Sequence, residues 1–449
     1  MKFPDLRPHA ALCLYMCLVG LLLTSLAMAS GLRYLHFVLL FIVSLLGAYA
    51  VFWRLSARIP QPLADFSCGS NTVWGARASV LVLAAAAVFA GLHLLRLGGI
   101  PVIQGMLETD YYTVMLVRQY IFHAELSAIW KYGPNILIKS VLPFLVFYYL
   151  FRSRSLLVVT LVFGGLYAVS LMNKLFVVLL VMPALIHALI FRRWLTAVGL
   201  AVIPALGLTF LILVQNPHMQ PQAFVDAIDA MRERTSLGLN NEQRAALVHY
   251  YALRADEREK GADEGEQGTG TGGGEIYRDH STGALSIASD TLYRRVLLVP
   301  GAVMTAWFDH IPSRLPFAEG CGYRWMAPLV GCQYIAYAVR INEIENPELA
   351  SKGVRGSMTA AFFVEDYANF GIAGLVFAGV VLAMILTAIG RLFGAAWQAN
   401  LALNAIPLTL LLEIPLGTVI LTGGWIITLF LYMLFARPRA SAPDYAISG

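Results

Sequence analysis

Apolar positions in this chain run in long unbroken stretches, without the alternation of a half-buried strand or the three-and-four spacing of an amphipathic helix. Ser155–Met172 and Leu195–Val214 contain no charged residue, and each is close to the ~20 residues a helix needs to cross hydrocarbon. Spans are expected at roughly 10–29, 34–53, 78–95, 134–151, 155–172, 175–191, 195–214, 368–389, 401–417 and 419–436. The pattern predicts an all-α polytopic membrane protein of about ten transmembrane helices, or eleven to twelve if shorter apolar segments also cross. Val296–Phe308 is one such segment, bracketed by Arg294/Arg295 and Asp309, and its length suits an interfacial or re-entrant helix better than a span.

Composition agrees. The 449 residues are 58% hydrophobic and 13% charged, with a mean hydropathy of +0.68, whereas soluble domains carry roughly 25% charged residues. The net charge of +5 is no nucleic-acid signal, because its basic residues punctuate the apolar runs. One set of connections carries Lys2/Arg7, Arg54/Arg58/Arg77, Arg152/Arg154, Arg192/Arg193, Arg391 and Arg437/Arg439, and the short connections of the other set hold only Arg33 and Lys174. By the positive-inside rule both termini are cytoplasmic. The first apolar run, 10–29, exceeds the ~7–15 residues of a signal-peptide core and is expected to stay as the first helix.

The chain then divides into N-terminal transmembrane helices (1–95), a first periplasmic segment (96–133), central transmembrane helices (134–214), a large periplasmic loop with short interfacial helices (215–367), and C-terminal transmembrane helices with a cytoplasmic tail (368–449). Residues 256–282, charged and Gly-rich with few large apolar side chains, are expected to be disordered. Pro407, Pro415, Gly417, Gly423 and Gly424 interrupt the last two spans. Such breaks at membrane depth belong beside protein or a watery cavity.

Soluble-enzyme signatures are missing: there is no P-loop, GxGxxG, His-Glu-x-x-His or Gly-x-Ser-x-Gly, and no histidine pair at a metal-ligand spacing. No cofactor and no metal are expected. Ionisable residues in or near the spans are the next signal, since each costs about 2.5–3.5 kcal/mol at a helix centre on insertion scales. Lys139 and Lys174 lie at the external ends of their spans, where snorkelling also accounts for them, His93 lies near the external end of span three, and Glu413 is read as deep in span nine. Arg118, Arg294, Arg295, Arg340 and Arg355 lie in the external segments, and guanidinium forks bind phosphate bidentately. Tyr111, Tyr112, Tyr120, Trp130, Trp307 and Trp325 are either sugar-stacking rings or interfacial anchors. The stretch Thr359–Gly374 places Glu365, Asp366 and Tyr367 where the long loop re-enters the membrane. A carboxylate there suits general-base work, or acids near a helix start serve as caps. Cys321 and Cys332 share the external loop, with Gly320, Gly322 and Gly331 beside them to let the chain turn. A disulfide between them is expected.

At four stretches the sequence resembles the O-antigen polymerase, or oligosaccharide repeat-unit polymerase, family. They are Gly98-Gly99-Ile100-Pro101-Val102, Ser170-Leu171-Met172-Asn173-Lys174, Arg294-Arg295 through Pro300-Gly301 with Trp307-Phe308-Asp309 behind it, and Glu365-Asp366-Tyr367-Ala368-Asn369-Phe370-Gly371. Position 174 is Lys where the family pattern suggests Arg. The resemblance implies a metal-independent membrane glycosyltransferase of the GT-C type in the bacterial inner membrane, acting on undecaprenyl-pyrophosphate-linked oligosaccharides in lipopolysaccharide or other surface polysaccharide synthesis. Partners would be these substrates, membrane lipids, a chain-length regulator and a flippase. The family's substrate-contacting arginines lie in two periplasmic loops, which Arg118 and Arg294/Arg295 occupy here. From the residues themselves, Lys139, Lys174, Arg355 and Tyr367 join them as pyrophosphate-binding candidates, and Glu365 is the leading candidate base, with Asp366 and His310 behind it. An O-antigen ligase shares this architecture, and a flippase is the rival of a different class.

Overall fold

The computed structural model describes residues 6–58, 73–108, 114, 127–215, 225, 226, 228, 293–347, 350, 356–394 and 396–435. Among them every regular element is helical. The helices are α1 (Ala10–Ser30), α2 (Leu35–Leu55), α3 (Val73–Arg96), α4 (Pro101–Met106), α5 (Ala128–Arg152, with a π-helical turn at Leu137–Val141), α6 (Arg154–Ser170), α7 (Lys174–Ile190) and α8 (Trp194–Gln215). They continue with α9 (Val299–His310, entered through a π-helical turn at Arg294–Leu298), a single helical turn at Ala327–Val330, α10 (Tyr337–Glu345), α11 (Phe362–Phe393), α12 (Trp397–Leu410), α13 (Leu416–Ile420) and α14 (Trp425–Phe435). Seven helical runs among the described residues are long and apolar enough to cross a membrane, the seventh being α13 and α14 taken together as Leu416–Phe435, and α6 and α7 are apolar helices of 17 residues each. The protein is an all-α, multi-pass membrane protein.

Local chemistry sets several boundaries. The Ser153 hydroxyl accepts from Leu156 N at 3.3 Å and caps α6, and the Asn173 Oδ1 accepts from Leu175 N at 3.1 Å and caps α7. Pro101 opens α4, where its missing N–H costs nothing. Large apolar side chains point outward from many helices, among them Leu81, Val158, Leu195 and Phe377. That is the perimeter a bundle needs in hydrocarbon.

Two close approaches assemble one side of the bundle. The α1–α9 contact is made at Gly301, whose N–H donates to the Ser25 hydroxyl at 2.6 Å; a Cβ there would fall 2.1 Å from the Ser25 carbonyl oxygen. α2 lies along α11, with the Ser44 hydroxyl donating to the Val376 carbonyl at 2.8 Å and Gly379 pressed against Ser44 and Leu45. Small residues let backbones meet this closely, as in other transmembrane packings.

The structure moves several expected boundaries. Residues 128–133, expected in the first loop, belong to α5, and Pro134 lies inside that helix, with Gly133 seated against the Phe89 ring. The expected span 401–417 is not one helix: α12 ends at Leu410, and residues 411–415 turn before α13. Glu413 is therefore exposed in a break and does not lie inside a span. The apolar segment 296–308 belongs to a longer run, Arg294–His310.

The largest departure is α11. Its 32 residues would extend about 48 Å as a straight helix, well past the ~30 Å of hydrocarbon. Phe370 (φ −133°, ψ 15°) and Gly371 (φ 60°, ψ −141°) break it. Beyond the break the chain folds back, for a Cβ on Gly374 would fall 2.0 Å from the Asp366 carbonyl oxygen, which in an unbroken helix lies about 12 Å away. Residues 362–370 thus form a short re-entrant helix, and residues 372–393 descend along α2.

Candidate functional site

The re-entrant helix begins where α12 ends. Phe362 N donates to the Leu411 carbonyl at 3.0 Å, and the Phe363 ring stacks on Phe41 at 4.4 Å. Phe41 lies six residues inside α2 and Ser25 five residues inside α1, so both marks sit roughly 8–9 Å below the end of the bundle formed by the 30–35 turn. This is the loop end, and the end carrying Arg7 and Arg58 is the tail end.

Breaking a helix frees carbonyls, and here the loop after α9 takes them up. Ala318 N donates to Ala368 O and Glu319 N to Asn369 O, both at 2.9 Å. Asn369, buried, locks the joint: its Nδ2 donates to the Glu365 carbonyl at 2.9 Å and its Oδ1 accepts from Gly322 N at 3.0 Å. A Cβ at 322 would fall 2.7 Å from that amide, so any larger residue there would have to displace it. Cys321 and Cys332 are joined by a disulfide that closes the same loop, with a Cα–Cα distance of 5.9 Å. Its other edge is tied by Ile335 N donating to Cys321 O at 2.9 Å.

The carboxylates lie under this loop. Asp366 accepts a hydrogen bond from the Tyr323 hydroxyl. Glu365 is half-buried, and among the described residues its carboxylate makes no hydrogen bond or ion pair. The Tyr367 ring is buried in an aromatic cluster, 4.9 Å from Phe37, 5.2 Å from Phe308 and 5.6 Å from Phe317. His310, at the end of α9 and buried, meets the Glu345 carboxylate through Nε2 at 2.7 Å. One residue earlier, Asp309 pairs with Arg33 at 2.9 Å and accepts from the Tyr34 hydroxyl. Burial and that hydrogen bond push the Tyr34 phenol up to about 12, so it stays a donor.

The expected cations are distributed differently. Arg294, half-buried, opens the π-helical turn seven residues before Gly301. It therefore lies about 10 Å deeper than Gly301 and roughly 23 Å along the helix from His310. Lys139 sits in the π-helical turn of α5, with its ammonium 5.9 Å from the centre of the Phe176 ring. It thereby reaches the first turn of the helix that Lys174 opens. The structure brings together Glu365, Asp366 and Tyr367, sets His310 nearby, and places Arg294 a little over two turns below the carboxylates. Arg118, Arg355, the Arg295 side chain and residues 256–282 lie outside the described residues.

Tyr323 and Glu345 had no signal in the sequence, and nothing in it paired Arg33 and Tyr34 with Asp309, since each is joined to its partner only by the chain's return to the bundle. Among the described residues no three His, Cys, Asp or Glu side chains are placed to hold a metal ion. Fold and site define a multi-pass helical membrane protein with a carboxylate centre beneath a stapled loop. No family model, no curated protein and no solved structure matches the chain.

Proposed function

We propose that this protein is a membrane glycosyltransferase that polymerises polyprenyl-pyrophosphate-linked oligosaccharide units at the external face of a bacterial inner membrane. On this reading the loop end faces the periplasm and both termini are cytoplasmic. The observation that carries it is Glu365, a carboxylate with no bonded partner among the described residues, held on a re-entrant helix just inside the loop end. Glu365 takes the proton of the acceptor sugar hydroxyl. The freed oxygen attacks the anomeric carbon of the donor glycan, and the bond from that carbon to the pyrophosphate breaks. The departing polyprenyl pyrophosphate is stabilised by cations, for which Arg294 and Arg295 below the carboxylates, with Lys139 and Lys174, are the candidates. Asp366, tied to Tyr323, and His310, tied to Glu345, are already engaged and act as positioning residues.

Glu365→Gln keeps shape and removes basicity, so chain elongation should fall by a factor on the order of 10²–10⁴ while the melting temperature stays at the wild-type value. The readout is the length ladder of surface glycan in a deletion strain carrying the variant. A wild-type ladder removes Glu365 from the chemistry. Accumulation of lipid-linked units on the cytoplasmic side in the deletion strain replaces the polymerase with a flippase. Full-length glycan left unattached to lipid A-core replaces it with a ligase.

A further inference from the structure

We propose that the disulfide-closed loop at residues 321–332 is a membrane anchor whose partner is the phospholipid headgroup layer at the loop end. Trp325 is 64% exposed, Leu329 78% and Val330 54%, a concentration of apolar surface unusual in an extramembrane loop. These residues are held by more than the bridge: Leu329 N and Val330 N both donate to Met326 O, and Cys332 N donates to Ala327 O at 3.0 Å. The exposure therefore belongs to a fixed surface.

That surface continues the lipid-facing side of the bundle. The Tyr323 ring lies 6.1 Å from Trp325 and 6.3 Å from Phe370. Phe370 and Ile372, both exposed, begin the apolar stripe that Val376 and Phe377 carry down the descending part of α11. Arg324 is exposed too, and its guanidinium stacks over Tyr334 at 5.0 Å, a cation of the kind that pairs with lipid phosphate. Trp, Tyr and Arg beside short aliphatic side chains are the composition of an interfacial anchor. Trp325 is followed by Met326, Ala327, Pro328, Leu329 and Val330, an apolar run that suits hydrocarbon better than a sugar.

Anchoring bears on the carboxylates, because the same loop supplies the Tyr323 hydroxyl to Asp366 and the Gly322 N–H to Asn369. A loop seated in lipid holds both donors in place.

The test uses the full chain in phospholipid nanodiscs, with Cys13, Cys17 and Cys68 changed to Ser, the bridge left oxidised, and a bimane label on Leu329→Cys. Phospholipids brominated at the upper acyl positions should remove about half of the label's emission, as for a side chain about 5–10 Å inside the headgroup boundary. Aqueous iodide should remove little. Strong iodide quenching with no effect of bromine overturns the proposal, and so does protection from both quenchers, which would place the loop against glycan or protein. In a monodisperse Trp325→Ser/Val330→Ser background iodide sensitivity should rise, and an unchanged value there also counts against the anchor.

Discussion

The two ends of the α2–α11 pair are finished in opposite ways. At the tail end, Arg391 in the last turn of α11 donates to the Trp53 carbonyl at 2.8 Å and to the Ser56 hydroxyl at 3.0 Å, and its guanidinium lies 4.0 Å over the Trp53 ring. His9 packs 4.5 Å from the same ring and bonds the Tyr49 hydroxyl through Nδ1 at 2.8 Å. A cation answers the carbonyls of a helix C-terminus, the arrangement both dipole and hydrogen bonding favour. At the loop end α2 still meets α11, with Tyr367 4.9 Å from Phe37, but the polar groups are arranged differently. α11 folds back on itself, its freed carbonyls are met by loop N–H groups, and of its two carboxylates one has a phenol and the other no partner among the described residues. One end uses its polar groups for closure, and the other leaves the Glu365 carboxylate without a bonded partner among the described residues.

This contrast can be broken most severely at the fold-back. Gly374→Val puts side-chain atoms where the Asp366 carbonyl already stands, and the fold should lose more than about 3 kcal/mol. Thermal unfolding of the purified protein in detergent measures it, and a melting temperature within a degree or two of wild type would mean that α11 does not fold back. Removing the staple is the next largest change. Cys332→Ser should cost about 2–3 kcal/mol by the chain-entropy model. Reductant should lower the wild-type melting temperature to that of the variant and leave the variant's unchanged. If both thiols of the denatured wild-type protein label fully without reductant, the bridge does not form. The smallest effect belongs to the tail end. Arg391→Gln should cost about 1–2 kcal/mol, the worth of a cation–π contact and its hydrogen bonds, with elongation unchanged. Should elongation fall there as it does in Glu365→Gln, the division between a closing end and a reactive end would have to be abandoned.

The membrane-spanning pattern was legible because a helix in lipid must be apolar nearly throughout, so spans such as Leu195–Val214 announce themselves by length alone. Glu365 and Asp366 were legible for the converse reason, as charges at the edge of an apolar run. What escaped was every feature fixed by contact and not by composition. The run at 368–389 reads as one span, because Phe370 and Gly371 are as apolar as their neighbours and only the positive φ at Gly371 betrays the turn. Glu413 looked central because Pro415 was counted inside a span, whereas α12 stops at Leu410 and leaves the glutamate in the gap. Tyr323 gave no hint of Asp366, 43 positions away, since their meeting depends on a loop path that no periodicity encodes.

The contact between Ser25 and Gly301 has a consequence for how the chain is made. Its partners are 276 positions apart, and Ser44 waits still longer for Val376, 332 positions on. The first two helices therefore enter the bilayer long before the ribosome has produced the helices against which they finally pack. Through most of synthesis the buried face of α1, with Ser25 on it, meets lipid or an insertion factor in place of α9. Biogenesis of this protein is consequently a matter of holding its earliest helices open, and a truncation anywhere before Gly301 should leave them as clients of the membrane quality-control proteases.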